Sequence, residues 1–202
     1  MSNLDINIEN IRQLPVIQNI CDDLGERLKK KTVVISIDGR CGAGKTTLAN
    51  AIESIFDATV IHMDDFFLPP SLRNPERLEE TGGNFHYERF EKEVVEPIKS
   101  NDALSYRIFS CEKMDYIDTV NVKPKKLIIV EGSYSAHPKF KDFYDMKIFC
   151  DVDQVTQQNR IIKRNGMEQF QNFKNKWIPM EEKYFKEFDI KEKSDYVVEL
   201  LD

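Results

Sequence analysis

The chain has 202 residues, 41% of them hydrophobic and 32% charged, which is typical of an ordinary globular protein and excludes disordered, fibrous and membrane-embedded classes. Its 29 basic and 35 acidic residues give a net charge of -6, which argues against a general surface for binding nucleic-acid polymers. An acidic protein can still bind small anions in a local positive pocket.

The amino-terminal residues are polar and acidic, which predicts that the chain has no secretory signal peptide. No apolar stretch approaches the roughly 20 residues that are needed to cross a bilayer. The four cysteines are widely spaced and form no C-x-x-C pair, which favours reduced thiols over disulfides or a metal site. Together these features predict a cytoplasmic protein.

Apolar patterns predict alternating helices and strands along the chain. Helical spacing predicts an amphipathic helix over residues 10–30, and the β-branched run 32–37 predicts a buried strand after it. A second helix is expected over 46–56 and a second strand over 59–61. The later predicted elements are an irregular charged segment through Gly82 and Gly83, a helix through Phe90 that closes near Pro97, strands over 104–109, 127–130, 147–150 and 196–198, a helix that ends near Gly166, and a long polar-aromatic helix around Trp177.

The predicted strands have few polar positions and are separated by helices. This pattern is typical of a parallel sheet that is covered by helices on both faces. The sequence contains no internal repeat and no low-complexity linker. We therefore predict a single α/β domain over residues 1–202.

Glycine is scarce in this chain, and it is clustered at one point. Of eight glycines, Gly39, Gly42 and Gly44 lie within six residues, in the run Gly-Arg-Cys-Gly-Ala-Gly-Lys-Thr over 39–46. The run matches G-x-x-x-x-G-K-S/T, the P-loop motif, and it lies between a predicted strand and a predicted helix, as that motif requires. The alternative is a tight turn that binds no ligand.

The physical basis of the motif is a concave nest of backbone N–H groups at the positive end of a helix. Lys45 would reach the β- and γ-phosphates of a nucleoside triphosphate, and the Thr46 hydroxyl would bind Mg²⁺. The predicted nucleotide-binding residues are Gly39, Gly42, Ala43, Gly44, Lys45, Thr46 and Thr47.

Several classes of P-loop protein are disfavoured. A switch GTPase usually has the guanine-binding sequence N-K-x-D, and the most similar segment here, residues 175–178, lacks the acid. The chain is too short for a typical AAA+ module, and it lacks an L-S-G-G-Q sequence. A small kinase remains, and a switch or assembly factor that hydrolyses nucleotide slowly stays as the alternative from a different class.

Carboxylates at predicted strand ends favour the kinase. Asp64 and Asp65 follow the second strand, where a carboxylate can accept a proton from an attacking hydroxyl or bind Mg²⁺. Glu131 ends the strand 127–130, where an acid can act on magnesium or on the substrate. The alternative is that these are solvated loop acids.

Four short segments of the sequence together resemble the motifs of a known protein family. They are the glycine run 39–46 and the segments 62–67 (His-Met-Asp-Asp-Phe-Phe), 84–87 (Asn-Phe-His-Tyr) and 130–132 (Val-Glu-Gly). In this order they resemble the uridine kinase and phosphoribulokinase group, which also includes bacterial pantothenate kinase. The resemblance covers about residues 32 to 200. It implies a five-stranded parallel sheet of nucleoside-kinase topology, ATP and Mg²⁺ as donor and cofactor, and a small-molecule hydroxyl as acceptor.

The resemblance also implies roles for individual residues. Asp64 matches the catalytic acid of the family, Glu131 matches a residue near the substrate, and Tyr106 is similar to a tyrosine of the substrate pocket. His86 stands where uridine kinases have an acid that binds the ribose diol. The resemblance implies uridine or cytidine as the acceptor, with pantothenate, a sugar or a sugar phosphate as alternatives. The predicted substrate residues are Asp65, Phe66, His86, Tyr106 and Glu131, and those near the metal are Thr46, Asp64 and Glu131.

The resemblance also implies a lid, over about residues 157–178. Arg160 and Arg164 are four residues apart on one helix face, where they could stabilise the charge on a transferred phosphoryl group, and Gly166 could act as a hinge or helix stop. Arg164 is the stronger candidate because it is nearer the lid tip. The alternative is a solvated basic helix face. We expect no membrane partner, and a homo-oligomer is possible.

Overall fold

The computed structural model describes residues 8–200. The polar segment 1–7, on which the signal-peptide prediction depends, lies outside the described residues. None of the helices within residues 8–200 is both long and apolar enough to cross a membrane. The four cysteines all lie in this part of the chain, and they are free thiols.

Within residues 8–200, seven strands form two sheets. The strands are β1 Val33–Gly39, β2 Ala58–His62, β3 Leu104–Ser110, β4 Asp115–Val122, β5 Leu127–Glu131, β6 Met146–Asp151 and β7 Tyr196–Glu199. Five of them pair in parallel in the order β2-β5-β1-β6-β7, and β3 and β4 form a separate antiparallel hairpin. The predicted five-stranded parallel sheet is confirmed.

The helices precede, connect and flank these strands. They are α1 Ile8–Gln13, α2 Pro15–Leu28, α3 Lys45–Phe56, α4 Pro75–Glu79, α5 Tyr87–Phe90, α6 Glu96–Ser100, α7 Gln154–Asn172 and α8 Ile178–Phe188. Two π-helical segments, Glu91–Val95 and Phe173–Trp177, join α5 to α6 and α7 to α8.

The central strands are buried on both faces, because helices cover both sides of the sheet. Every residue of β1 and β5 is buried, which explains their nearly continuous apolar sequences. Alternate side chains of β1 enter two different cores: Ile35 packs in an aliphatic core with α2 and α3, and Val34 packs in an aromatic core with α8. The expectation of helices on both faces is confirmed.

Prolines change three predicted helices. The helix expected over 10–30 is two helices, since Pro15 cannot donate an N–H group and Leu14 before it is extended (ψ 130°). The helix expected to close near Pro97 continues to Ser100. A widened π turn precedes Pro97, with the Glu96 N–H bonded to the Glu91 carbonyl five residues back. The same arrangement precedes the proline of α8.

The hairpin partner of β3 was absent from the sequence-based prediction. Strand β4 is mostly exposed along its length, so its sequence lacks the apolar run of a buried strand. It packs its Tyr116 ring edge-on against Phe109 of β3, with the ring centroids 5.7 Å apart. The fold is therefore a parallel sheet with an added antiparallel hairpin.

Sheet register brings the predicted site residues to one edge. In the parallel pairing, Glu131 at the end of β5 lies beside His62 of β2 and Ile37 of β1. The turn with Asp64 and the glycine loop both leave the sheet at this carboxyl edge, which is the usual position of ligand sites in parallel sheets.

Candidate active site

The glycine loop connects β1 to α3 in a backbone conformation that requires glycine. Gly39, Gly42 and Gly44 have φ values of 134°, 76° and 90°. A Cβ atom on Gly39 would lie 2.0 Å from the carbonyl oxygen of Cys150 in the adjacent strand β6. Both the dihedral angles and the close approach explain why three of the eight glycines are clustered here.

The loop presents donors that suit an anion. Within residues 8–200, the N–H groups of Gly42 and Gly44 have no hydrogen-bond partner. The Lys45 ammonium donates to the carbonyl groups of Gly39 at 2.7 Å and Arg40 at 3.0 Å, so it lies against the loop. Free amides, a lysine and a helix amino terminus are the elements of a phosphate site.

Glu131 links the loop to the neighbouring strand. Its Oε1 atom accepts a hydrogen bond from the Thr46 hydroxyl at 3.1 Å and lies 2.6 Å from Nδ1 of His62. The contact with Glu131 raises the pKa of His62. The structure thus brings two of the predicted metal residues, Thr46 and Glu131, together. Within residues 8–200 no three His, Cys, Asp or Glu side chains form a cluster that could hold a metal ion.

The two aspartates lie on a 3₁₀ turn, Met63–Phe66, that follows β2. Asp64 is open to solvent, yet the protein packed around it raises its pKa, and the Glu131 carboxylate adds to this effect. Lys45 acts in the opposite direction. Burial raises the pKa of Asp65 to about 6, an effect that His62 offsets in part.

Arg89 holds this turn in place, and the sequence reasoning missed it. Its side chain is 5% exposed, and its guanidinium donates to the carbonyl oxygens of Asp65 and Arg107 and to Glu93. It also lies 4.3 Å from the centroid of the Phe66 ring. A charged residue on a predicted helix gave no signal for this role, because the two carbonyl groups that it binds are 18 and 24 positions away.

We expect the Arg89→Met variant to lose about 2 to 4 kcal/mol of unfolding free energy, because three partly buried acceptors lose a charged donor. Urea unfolding followed by circular dichroism measures this loss. Arg107→Met is the matched control, since Arg107 is exposed and its ion pair with Glu93 is long at 3.8 Å. Equal losses in the two variants would contradict the assigned role of Arg89.

The raised pKa of Asp65 predicts that the stability of the protein depends on pH. Its pKa in the folded protein is about 6 against an ordinary value of 3.8, so the folded state binds this proton more tightly than the unfolded chain. The charged carboxylate therefore costs stability above pH 6, and this cost disappears as the pH falls towards 4. We expect Asp65→Asn to raise the unfolding free energy by about 1 to 2 kcal/mol at pH 7.5 and by much less near pH 4.

Urea unfolding over this pH range measures the effect. The exposed Asp142, replaced in Asp142→Asn, serves as the control and should change the unfolding free energy by less than about 0.5 kcal/mol throughout. If the gain in unfolding free energy of Asp65→Asn does not vary with pH, the charge of the Asp65 carboxylate is not its cause.

Two predicted substrate residues are packed into the aromatic core. Phe66 is fully buried, and Tyr106 is nearly so, with their ring centroids 5.2 Å apart. Phe66 thus packs in the core, and its predicted contact with a substrate stays a prediction. Burial raises the pKa of Tyr106, and the nearby Asp65 adds to the shift. Both rings pack in the core beneath the aspartate turn. A contact between Tyr106 and an acceptor stays a prediction.

His86 lines a cavity in which neither Asp64 nor Asp65 is a lining residue. This cavity of about 460 Å³ lies between the segment after Phe67 and α4, and the Nδ1 atom of His86 lies 3.2 Å from Glu88. Arg77 organises this segment: it donates to the carbonyl groups of Gly83 and Phe85 and to Glu88. We name residues 75–88 the acceptor segment, because His86, a predicted acceptor contact, lies in it.

The two arginines that are predicted to belong to a lid have different surroundings. Arg164 is exposed and close enough to Asp64 to act on its pKa. Arg160 is 4% exposed and donates to the carbonyl oxygens of Gly42 at 3.2 Å and Leu200 at 2.6 Å. The buried Arg160 guanidinium thus contacts the glycine loop, and its approach to a transferred group stays a prediction. Gly166 leaves the helical conformation within α7 (φ 82°, ψ 163°), where the helix stop was expected.

Two further carboxylates contact the glycine loop and were not predicted. Asp38 is completely buried and accepts from the N–H groups of Gly39 and Ala136 and from the Tyr184 hydroxyl at 2.7 to 2.9 Å. Burial raises its pKa to about 6. Its position directly before the glycine run, at the end of an apolar strand, was a signal in the sequence. Glu181 of α8 accepts from the Cys41 N–H group, and no sequence pattern pointed to it.

Comparisons with known proteins agree with this geometry. The family model "Phosphoribulokinase / Uridine kinase family" matches residues 34–169. A uridine kinase of Oceanobacillus iheyensis is 32% identical over 154 residues, which cover 67% of each chain. A uridine kinase of Chlamydia pneumoniae is 28% identical over 146 residues, 68% of this chain but less than two thirds, 65%, of that protein.

A solved structure shares the fold. The structure described as a possible uridine kinase from Bacillus stearothermophilus superposes with a TM-score of 0.66 at 20% identity, and covers 91% of this chain and 99% of that one. The family match extends over more than half of the chain and includes the glycine loop, the aspartate turn and the end of β5. This chain therefore belongs to the phosphoribulokinase and uridine kinase family.

Proposed function

We propose that this protein is a kinase that transfers the γ-phosphoryl group of ATP to a hydroxyl group of a small metabolite. Family membership supports a phosphotransferase. The observation that carries the proposal is the convergence of a phosphate loop and an acidic turn at one sheet edge. Lys45, Glu131 and Asp64 are close enough there for their charges to act on one another.

The donor half of the site suits a nucleoside triphosphate. The free amides of Gly42 and Gly44 would hold phosphate oxygens, and Lys45 would turn from the loop carbonyls to the β- and γ-phosphates. Thr46 would bind Mg²⁺ with Glu131 supporting it, and the bound ion would neutralise charge on the phosphates. Ala43 and Thr47 complete the loop and the first turn of α3.

Asp64 would activate the acceptor. Its carboxylate accepts the proton of the attacking hydroxyl while the oxygen of that hydroxyl bonds to the γ-phosphorus, and the bond from the γ-phosphorus to the bridging oxygen breaks to release ADP. A raised pKa suits a general base, because the base must hold the proton after transfer. Asp65 and His86 would contact the acceptor, and the exposed Arg164 would approach the transferred group from the lid.

A pyrimidine nucleoside is the proposed acceptor. Several relatives, including those of Oceanobacillus iheyensis and Chlamydia pneumoniae, carry the name uridine kinase, which supports uridine or cytidine. The His86 side chain already contacts Glu88, so a carboxylate is present next to the histidine that replaces the ribose-binding acid of uridine kinases.

Radiolabelled ATP with a panel of acceptors tests the proposal. Uridine, cytidine, pantothenate and pentose phosphates are each incubated with the protein and Mg²⁺, and labelled product is separated from ATP. Label on uridine or cytidine supports the nucleoside acceptor. Label on another compound of the panel supports the kinase reaction but identifies that compound as the acceptor instead. Hydrolysis of ATP that no acceptor accelerates, together with nucleotide-dependent binding of a protein partner, would favour the switch or assembly factor instead.

A further inference from the structure

Helix α8 inserts a buried carboxylate into the phosphate loop. The Glu181 side chain is 6% exposed. Its Oε2 atom accepts from the N–H group of Cys41 at 3.0 Å, and its Oε1 atom accepts from the Ser133 hydroxyl at 2.6 Å. A negative charge therefore occupies one amide of a loop whose other amides are suited to phosphate.

The same carboxylate acts on the phosphate-binding lysine. Burial opposes the charge on Lys45, but nearby acidic groups raise its pKa, and Glu181 is the strongest of them. Glu181 thus supplies part of the negative charge that stabilises the Lys45 ammonium. A triphosphate would bring more negative charge to the same lysine and the same loop, and like charges in a partly desolvated site repel each other.

Residues of α8 that follow Glu181 reach the acceptor segment. Lys183 donates to the carbonyl oxygen of Glu79 at 3.3 Å, and the Thr81 hydroxyl donates to Glu187 at 2.6 Å. One helical turn after Glu181, the Tyr184 hydroxyl bonds to Asp38 below the glycine loop. A short helix therefore contacts both the donor loop and the segment that holds His86.

We propose that Glu181 senses the terminal phosphate of the bound nucleotide, an inference that rests on the proposed nucleoside triphosphate site. In the nucleotide-free protein Glu181 holds the Cys41 amide and balances the charge of Lys45. The γ-phosphate competes for both groups and displaces the carboxylate. Because Glu181 and Tyr184 lie on one face of α8, the displacement moves this helix, and its contacts with Glu79 and Thr81 transmit the movement to the acceptor segment.

The Glu181→Gln variant tests the sensor. Glutamine keeps the shape and an oxygen acceptor but removes the charge, so the repulsion of the γ-phosphate disappears. We expect the dissociation constant of a non-hydrolysable ATP analogue with Mg²⁺ to fall by roughly tenfold, which corresponds to about 1.4 kcal/mol of binding free energy. The dissociation constant of ADP should change less than twofold, since ADP lacks the γ-phosphate. Titration calorimetry measures both constants.

Glu182→Gln is the matched control. It removes the same charge from the next residue of α8, but Glu182 is only partly buried and pairs with the Arg40 side chain rather than with the loop amides. We expect it to change the constants for ATP analogue and ADP by the same factor, below about twofold. Equal changes for the two nucleotides in Glu181→Gln, or no change, would overturn the sensor. If the wild-type protein binds neither nucleotide, the proposed function itself fails.

A second measurement needs no variant and therefore does not depend on the folding of Glu181→Gln. Amide hydrogen exchange of residues 75–88 and of α8 is compared in the wild-type protein with the ATP analogue and with ADP. The sensor requires that the exchange rates of both segments change with the ATP analogue and remain near those of the free protein with ADP. The same exchange pattern with both nucleotides would overturn it.

Discussion

The Asp64→Asn variant is expected to lose at least roughly 100-fold in kcat while its affinity for ATP stays within a few-fold of wild type. Asparagine has nearly the same shape but cannot accept the proton of the attacking hydroxyl. The loop amides, Lys45 and Thr46 are unchanged, so ATP binding is retained. Steady-state kinetics with the best acceptor and titration with an ATP analogue measure the two quantities separately.

Asp65→Asn is the matched control for this prediction. The two aspartates are adjacent, but the Asp65 backbone is tied to Arg89 and its side chain is partly buried, whereas Asp64 is open to solvent. We expect kcat to fall much less in Asp65→Asn. A larger loss in Asp65→Asn would transfer the role of base to Asp65, and unchanged turnover in Asp64→Asn would remove Asp64 from the mechanism.

The Gly39→Ala variant is expected to lose nucleotide binding and about 3 to 5 kcal/mol of unfolding free energy, the size seen when a close backbone approach and a special φ value are both violated. The new Cβ atom would lie 2.0 Å from the Cys150 carbonyl oxygen and 2.7 Å from its nitrogen. Both atoms belong to β6, which pairs with β1, so neither can move away alone. Differential scanning fluorimetry should show a melting temperature lower by about 10 °C.

Gly25→Ala provides the control for Gly39→Ala. Gly25 lies within α2, and a Cβ atom there would meet nothing within 4 Å. Alanine is the better helix former, so this variant should gain about 0.5 to 1 kcal/mol and bind ATP normally. A Gly39→Ala protein with the wild-type melting temperature and normal ATP binding would contradict the close approach of the loop to β6.

The main sheet was predictable because its signals are local. The apolar runs of β1 and β5 reflect burial on both faces, which each strand satisfies wherever it lies in the sheet. The exposed strand β4 lacks such a run and was missed. The continuation of the helix past Pro97 was also missed, since a π turn that accommodates a proline depends on packing rather than on residue type.

The residues of the candidate site also divide into those that local sequence motifs reveal and those that only the structure reveals. The glycine loop and the aspartate turn are contiguous motifs, so the amino-acid sequence alone reveals them. The supporting groups are not contiguous: Glu181 bonds to Cys41 across 140 positions, and Tyr184 bonds to Asp38 across 146. Arg160 has the sequence context predicted for a lid residue, and only the structure shows that its buried guanidinium bonds to the carbonyl groups of Gly42 and Leu200.

Residue type and short-range spacing were enough to predict the order of the main helices and strands, the glycine loop and the acids at the carboxyl edge of the sheet. Backbone sterics and burial act within a few residues, so each of these features leaves a local pattern. Which charges meet depends on the three-dimensional packing: Glu131 with Thr46 and His62, Arg89 with the aspartate turn, and Glu181 with the loop. Charges interact through space, and the fold sets the distances between residues that are far apart in the chain.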